Sequence, residues 1–134
     1  MAAAMKFELV SPERLLVSAE VEQVVIPGSE GDMTVLVNHA PVLTSVRPGL
    51  VKVRKAGGAE EGYVVFGGFA DITAQGCTLL AESAVRTADI DRAELEKRLA
   101  DAREDVADAR DAAAKAKAQT HLDHLTTLAA AIGR

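Results

Sequence analysis

The sequence has little of what marks a secreted or membrane-spanning protein. Its 134 residues include one cysteine, Cys77, so no disulfide can form within the chain, which suits a reducing compartment. No apolar run approaches the ~20 residues of a membrane-spanning helix, and the N-terminal stretch does not resemble a signal peptide. The net charge of -5 gives little support for nucleic-acid binding. These absences predict a soluble, cytosolic protein that binds no nucleic acid, and they leave attachment to a membrane complex open.

Proline, glycine and aromatic residues are concentrated in the first part of the chain. All four prolines, nine of the ten glycines and all four aromatic residues precede residue 77. From Ala88 onward the sequence is rich in alanine, leucine and balanced charge. We therefore place a boundary at Thr87, with residues 1–87 forming one domain and residues 88–134 a second, helical one.

The first domain is predicted to consist of short strands. Apolar and β-branched runs alternate with turn-forming residues, and no amphipathic helix lies between them, which argues against parallel βαβ units. This pattern is typical of a β-sandwich or barrel. The predicted strands are FELVS, EVEQVVIP, MTVLV, VLTSV, LVKVRK, GYVVFGGFADI and CTLLAESAV, and the predicted turns include Ser11-Pro12, Pro27-Gly28, His39-Ala40-Pro41, Pro48-Gly49, Gly57-Gly58 and Gln75-Gly76.

The second domain is predicted to be helical and to pack weakly. Two sets of apolar residues each repeat at spacings of three and four, and they are out of phase with each other, which favours two helices joined by a turn. No Gly or Pro marks that turn, so one long helix remains an alternative. Asp89 is a candidate cap for the first helix. The two sets are Leu95, Leu99, Ala102, Val106, Ala109 and Ala113, then Ala118, Leu122, Leu125, Ala129 and Ile132.

The segment from Ile26 to Gly49 holds most of the residues capable of chemistry. Asp32 and His39 could form an acid–base pair, but nothing else supplies a nucleophile or metal set, so we favour a shaped polar turn over a catalytic site. The sequence GSEGD lacks the Lys-Ser/Thr of a phosphate-binding loop and precedes a strand. We therefore predict no catalytic residues here.

Two other candidates carry little chemistry. His121 and His124 stand three residues apart on a predicted helix, a spacing that could suit a metal. They lack suitable companions, so we expect solvated side chains and no metal. Cys77 lies in an apolar strand without a cationic neighbour, and we expect it to be unreactive packing.

Four blocks of the sequence together resemble one family. VSPERLLVS, IPGSEGDMTVLVNHAPVLTSVRPG, YVVFGGFADI and TLLAESAVRTADID are similar to the epsilon subunit of bacterial F-type ATP synthases. They occur in the family's order and cover most of residues 6–92. The resemblance implies an N-terminal β-sandwich of about ten strands followed by a C-terminal two-helix hairpin.

The resemblance also implies a function. In the family, the sandwich binds the gamma subunit and rests on the ring of c subunits, and the subunit turns with the rotor of the proton-translocating enzyme without catalysing a reaction. The tail can reach the alpha/beta catalytic head and impede ATP hydrolysis. We therefore expect a peripheral protein at the cytoplasmic face of the bacterial inner membrane. The residues implied to face the c-ring are Glu30, Gly31, Asp32, His39, Ala40 and Pro41.

The tail departs from the family at a nucleotide-binding motif. Some members bind ATP through Ile-Asp-x-x-Arg-Ala, whereas this chain has Ile90, Asp91, Arg92 and Ala93 in succession. Two missing residues rotate the arginine by about 200° around a helix of 3.6 residues per turn. We therefore expect no nucleotide cofactor. An enzyme using Asp32 and His39, and a stand-alone ATP sensor, are the competing functions.

Overall fold

A computed structural model of the protein describes residues 4–132 and places all of its strands before its α-helices. The predicted class, a β domain followed by two helices, is confirmed. The described residues divide into two compact units, one ending at Ala88 and the other beginning at Asp89. The elements are β1 (Met5–Ser11), β2 (Arg14–Gly28), β3 (Gly31–Val35), β4 (Val42–Lys55), β5 (Glu60–Thr73), β6 (Gly76–Ala81), β7 (Ala84–Arg86), a 3₁₀ turn (Thr87–Asp89), α1 (Arg92–Asp108) and α2 (Ala112–Ile132).

The strands form one sheet that closes on itself. Its order is β1-β6-β5-β4-β2-β3, β1 also pairs with β2, and β7 pairs with β5. The described residues form seven strands where the resemblance implied about ten. The reason is that β2, β4 and β5 are 15, 14 and 14 residues long, and bulges bend such strands without ending them.

The core of the first unit follows from alternation along the strands. In β1, Met5, Phe7 and Leu9 are buried, and the intervening Lys6 is exposed. The same period of two buries Cys77 and Leu79 in β6, because successive side chains of a strand point to opposite faces. Apolar residues from most of the strands therefore meet inside the closed sheet.

The Pro48-Gly49 pair does not form a turn, contrary to the sequence prediction. Strand β4 continues through it, with Pro48 opposite Phe66 of β5. The pairing of β4 with β2 is irregular at this point, so the missing N–H of Pro48 removes no ladder bond on that side. Gly49 is required because a Cβ there would lie 2.7 Å from the Cβ of Pro27.

The second unit consists of two helices, so the single-helix alternative is wrong. Each helix has an aspartate at its start. Asp91 accepts hydrogen bonds from two amides at the start of α1, and Asp111 accepts one from Ala114 N at 2.7 Å. The prediction that Asp89 caps α1 is also wrong, because Asp89 lies within the preceding 3₁₀ turn. Side-chain capping at Asp111 begins α2 without any Gly or Pro.

The helices α1 and α2 contact each other. The buried positions are mainly leucines at the open end of the pair: Leu95, Leu99, Ala102, Leu125 and Leu128. Leu128, which the predicted seam omitted, is buried, and the alanines near the connection between the helices are mostly exposed. None of the helices within residues 4–132 is both long enough and apolar enough to cross a membrane.

Candidate functional site

The turn between β2 and β3 is a tight two-residue connection. Gly28 and Gly31 form its closing pair, and Ser29 and Glu30 between them are exposed. Gly31 has a φ of 136°, a backbone conformation that residues other than glycine rarely adopt. A Cβ on Gly28 would lie 2.8 Å from the carbonyl oxygen of Gly31. Both glycines are therefore required for the shape of this turn.

Asp32, the first polar residue after the turn, is already ion-paired. Its Oδ1 lies 2.7 Å from Nη2 of Arg47 in β4. The other terminal nitrogen of Arg47 donates a hydrogen bond to the carbonyl oxygen of Gly28. The Asp32 side chain is 64% exposed and that of Arg47 only 24%. Arg47 of β4 thus contacts both sides of the turn, and nothing in the local sequence marks it as a site residue.

The loop between β3 and β4 holds the other predicted residues. Asn38 adopts a φ of 65°, and its backbone N–H donates a hydrogen bond to the carbonyl oxygen of Ala74 at 3.1 Å. Nδ1 of His39 lies 2.7 Å from the carbonyl oxygen of Ala40, so the proton of a neutral ring sits on Nδ1. Ala40 and Pro41 are exposed. The loop is therefore held by its own backbone and by the neighbouring β5–β6 turn.

The structure places these two segments at opposite ends of β3. Strand β3 separates them, and each residue of a strand advances the chain by about 3.3 Å, so Asp32 and Leu36 are about 13 Å apart. The acidic group of Asp32 is paired with Arg47, and His39 bonds its own backbone. Asp32 and His39 therefore do not form an acid–base pair, and the two segments are separate surface features.

A row of four apolar side chains, three of them exposed and one half-buried, crosses four neighbouring strands. Leu15 of β2 lies opposite Val10 of β1, Val10 opposite Leu80 of β6, and Leu80 opposite Phe69 of β5. Leu15, Leu80 and Phe69 are 53%, 52% and 56% exposed. We call these four residues the apolar row. Leu43 of β4 extends it, since it is two residues from Ser45, the partner of Phe69.

The apolar row was missed from sequence although a signal was present. In a strand with one buried face, apolar and polar residues alternate. Here Leu80 follows Leu79, Val10 follows Leu9 and Leu15 precedes Leu16. Because one member of each apolar pair must face outward, the broken alternation indicated an exposed apolar surface.

The tail motif has structural partners within its own unit. Oδ1 of Asp91 accepts hydrogen bonds from Ala93 N at 2.9 Å and Glu94 N at 3.4 Å. Nη2 of Arg92 donates to the carbonyl oxygen of Ile132 at 3.3 Å, which joins the start of α1 to the end of α2. Ile90 is half-buried. These residues cap and close a helical hairpin in the structure.

The histidines of α2 and Cys77 do not form a metal site or a reactive thiol. Within residues 4–132, no three His, Cys, Asp or Glu side chains lie close enough together to hold a metal ion. His121 is exposed. Cys77 is buried, and burial, aided by the charge of Asp71, raises the pKa of its thiol to about 12. A thiol with that pKa is protonated at neutral pH and is a poor nucleophile.

Comparison with known proteins identifies the family. Residues 4–87 match the family described as ATP synthase, Delta/Epsilon chain, beta-sandwich domain. The chain is 64% identical over 132 residues to the ATP synthase epsilon chain of Mesorhizobium japonicum, with 98% of each chain covered. It is 55% identical over 128 residues to that of Brucella anthropi, covering 96% of this chain and 95% of the relative.

Solved structures show the same fold. One chain of the Euglena gracilis mitochondrial ATP synthase OSCP/F1/c-ring structure is 28% identical, with a TM-score of 0.77 over 98% of this chain and 83% of that chain. A chain of the Tetrahymena thermophila mitochondrial ATP synthase central stalk/c-ring structure is 15% identical, with a TM-score of 0.68, covering 94% and 96%. The family match and the identity to epsilon chains over 98% of the chain lead to one conclusion: the chain belongs to the epsilon chain family of ATP synthases.

Proposed function

We propose that the protein is a non-catalytic rotor subunit in the central stalk of a proton-translocating ATP synthase, where it links the gamma subunit to the c-ring. Membership of the family supports this role. So does the Euglena relative, which is described as part of an OSCP/F1/c-ring assembly. The observation that carries the proposal is the apolar row, a surface that is exposed in the isolated chain.

The apolar row is the proposed surface for gamma. Exposed apolar residues scattered singly need no explanation, but a contiguous patch marks an interaction site. Four neighbouring strands at about 4.8 Å spacing carry the row across about 14 Å of the sheet. Phe69 near one end supplies an aromatic side chain, a type enriched in interface cores. A partner that presents an apolar helix face would cover this row.

The turns on either side of β3 are the proposed surface for the c-ring. The β2–β3 turn presents Glu30, Gly31 and Asp32, and the β3–β4 loop presents His39, Ala40 and Pro41. The two turns lie about 13 Å apart along β3, so one copy of a short polar loop could not reach both. A ring repeats its loops in every subunit, and neighbouring copies would contact the two turns.

The first domain would attach the protein to its partners, and the second would regulate ATP hydrolysis. Residues 1–87 would bind gamma and the c-ring, and residues 88–134 would form a tail that reaches the alpha/beta head and restrains ATP hydrolysis. Most alanines near the helix connection are exposed, and alanine buries little apolar area. A tail with little apolar area to bury at this end could exchange between positions that differ by a few kcal/mol. The protein would then be peripheral, at the cytoplasmic face of the bacterial inner membrane.

Recovery of partners from the protein's own cells tests this function. A tagged full-length chain, purified from membranes in mild detergent, is expected to recover gamma and c subunits in fixed ratio. A Phe69→Asp/Leu80→Asp variant should lose gamma, because each change places a charge in the apolar row. A Leu36→Asp variant is the control for gamma and should recover it at the wild-type level, since Leu36 is 50% exposed but lies outside the row. Only gamma recovery serves as the control, because the β3–β4 loop that holds Leu36 is assigned to the c-ring. Recovery of gamma by the double variant at the wild-type level would contradict the proposal.

A further inference from the structure

The side chain of Arg47 bridges the two strands of the β2–β3 hairpin. One terminal nitrogen donates to the carbonyl oxygen of Gly28, the last residue of β2. The other lies 2.7 Å from Oδ1 of Asp32, the second residue of β3. A planar guanidinium holds two donors in fixed relation to each other. A single side chain therefore joins both sides of the turn to β4.

This part of the sheet has a gap in its backbone pairing. Strand β2 pairs with β4 up to Val25↔Lys52, and the pairing resumes only at Gly28↔Val46. Pro27 and Pro48 fall in the interval, and neither has an N–H to donate. Strand β3 pairs with β2 alone and ends the order of the described strands. The hairpin tip thus projects from an interrupted ladder at the edge of the sheet.

Three attachments fix the tip to β4. They are the Gly28↔Val46 pairing, the hydrogen bond from Ser29 N to Ser45 O at 2.9 Å, and the side chain of Arg47. The first two use only backbone atoms, which almost any sequence supplies. Arg47 is the attachment that depends on residue type, and it also fixes the direction of the Asp32 carboxylate.

We propose that Arg47 is a positioning residue for the β2–β3 turn: it holds the Ser29-Glu30 tip and the Asp32 carboxylate in one orientation for a partner. The identity of that partner as the c-ring rests on the proposed function, but the positioning itself does not. Asp32 alone, 64% exposed, would sample several rotamers in water. With Arg47 in place, the turn has its bound shape before docking, which lowers the entropic cost of association.

Hydrogen exchange of the full-length chain tests the positioning directly. The reporter is the amide of Ser29, which is bonded to Ser45 O, and the control is the amide of Gly58, which donates to Lys55 O at 2.9 Å in the β4–β5 turn. Arg47→Met keeps the length of the side chain and removes its donors. The Ser29 amide should then exchange about tenfold faster, equivalent to about 1.4 kcal/mol, with no change at Gly58.

Matched variants distinguish the effect of the geometry of the Arg47 guanidinium from the effect of its charge. Arg47→Lys retains the charge but cannot place two donors on Gly28 and Asp32 as a guanidinium does, so its effect should fall between wild type and Arg47→Met. Asp32→Asn weakens only the Arg47–Asp32 contact and should therefore give a smaller increase in the exchange rate of the Ser29 amide. Arg54→Met alters an exposed arginine elsewhere in β4 and should leave Ser29 unchanged.

The outcomes distinguish the positioning role from the docking role. Unchanged exchange at Ser29 in Arg47→Met overturns the proposal, as does faster exchange at both Ser29 and Gly58, which would indicate general loosening. ATP-driven proton pumping in membranes carrying the same variants provides the second reading. If the turn loosens and pumping falls in the same order of variants, both roles stand. If it loosens and pumping is normal, Arg47 positions the turn but the turn does not dock on the ring.

Discussion

Replacement of Phe69 by alanine should weaken binding of the gamma subunit without unfolding the protein. Phe69 lies at one end of the apolar row and is 56% exposed in the isolated chain. Its exposed atoms contribute little to the core of the first unit, so truncation should change the free energy of unfolding by no more than about 0.5 kcal/mol. The same atoms would be covered in a complex, and their loss should appear in the affinity.

The size of the effect follows from the exposed area. A phenylalanine buries roughly 200 Å² when fully covered, so the 56% that is exposed leaves about 110 Å² for a partner to cover. At about 25 cal/mol per Å² this area is worth about 2.8 kcal/mol. Alanine still covers part of the surface, and association has ordering costs. We therefore expect Kd to rise between about tenfold and a hundredfold.

Calorimetric titration of the full-length chain with gamma from the same organism measures this change. Leu36→Ala is the matched control, because Leu36 is apolar and 50% exposed but lies in the β3–β4 loop. Its substitution should change Kd by no more than about twofold. Equal effects of Phe69→Ala and Leu36→Ala, or no effect of either, would refute the assignment of the apolar row to gamma.

Three further results are expected. A chain ending at Thr87 should still bind gamma and support proton-coupled ATP synthesis but lose restraint on ATP hydrolysis; failed assembly would show that the tail is structural. Calorimetry should find no saturable ATP binding, since Arg92 is hydrogen-bonded to Ile132 O in a shortened motif. The hydrogen bond from Tyr63, with help from Lys55, lowers the pKa of Glu61 below 4.5. The advantage of wild type over Tyr63→Phe in urea unfolding should therefore be complete above pH 4.5 and shrink as pH falls through the folded-state pKa. Burial, with the Glu61 hydrogen bond, raises the pKa of Tyr63 from 10.0 to about 12, so wild type should lose stability relative to Tyr63→Phe from pH 10 upward. A difference independent of pH would contradict this account.

The sequence predicted the fold well where local rules agree with the tertiary structure. Alternating apolar residues gave the strands, and helical spacing gave the two helices. The errors arose where the local structure is determined by contacts that the local sequence does not reveal. Pro48-Gly49 resembles a turn, but it lies inside β4 because Gly49 packs against Pro27, a residue remote in sequence. Asp89 resembles a cap, but it lies in a 3₁₀ turn. The helix α1 therefore begins later, at Arg92, and Asp91 caps it.

The candidate site was less predictable because it depends on pairing across strands. Asp32 and His39 are seven positions apart in the chain, and only the extent of β3 shows that they lie at opposite ends of a strand. Arg47 is the partner of Asp32 because β4 pairs with β2 next to the hairpin turn. No local signal marks that contact. The apolar row, by contrast, was visible in the broken alternation at Leu79-Leu80 and Leu15-Leu16.

The measurement that tests the central claim most directly is restoration of proton pumping in membranes depleted of this chain. Inverted vesicles from its own cells, stripped of the protein, should hydrolyse ATP without acidifying their interior. Purified wild-type chain should restore ATP-driven acidification in proportion to the amount bound, whereas the Phe69→Asp/Leu80→Asp variant should not. If depleted vesicles pump normally, or if the double variant restores pumping as well as wild type, the chain does not link gamma to the ring through the apolar row.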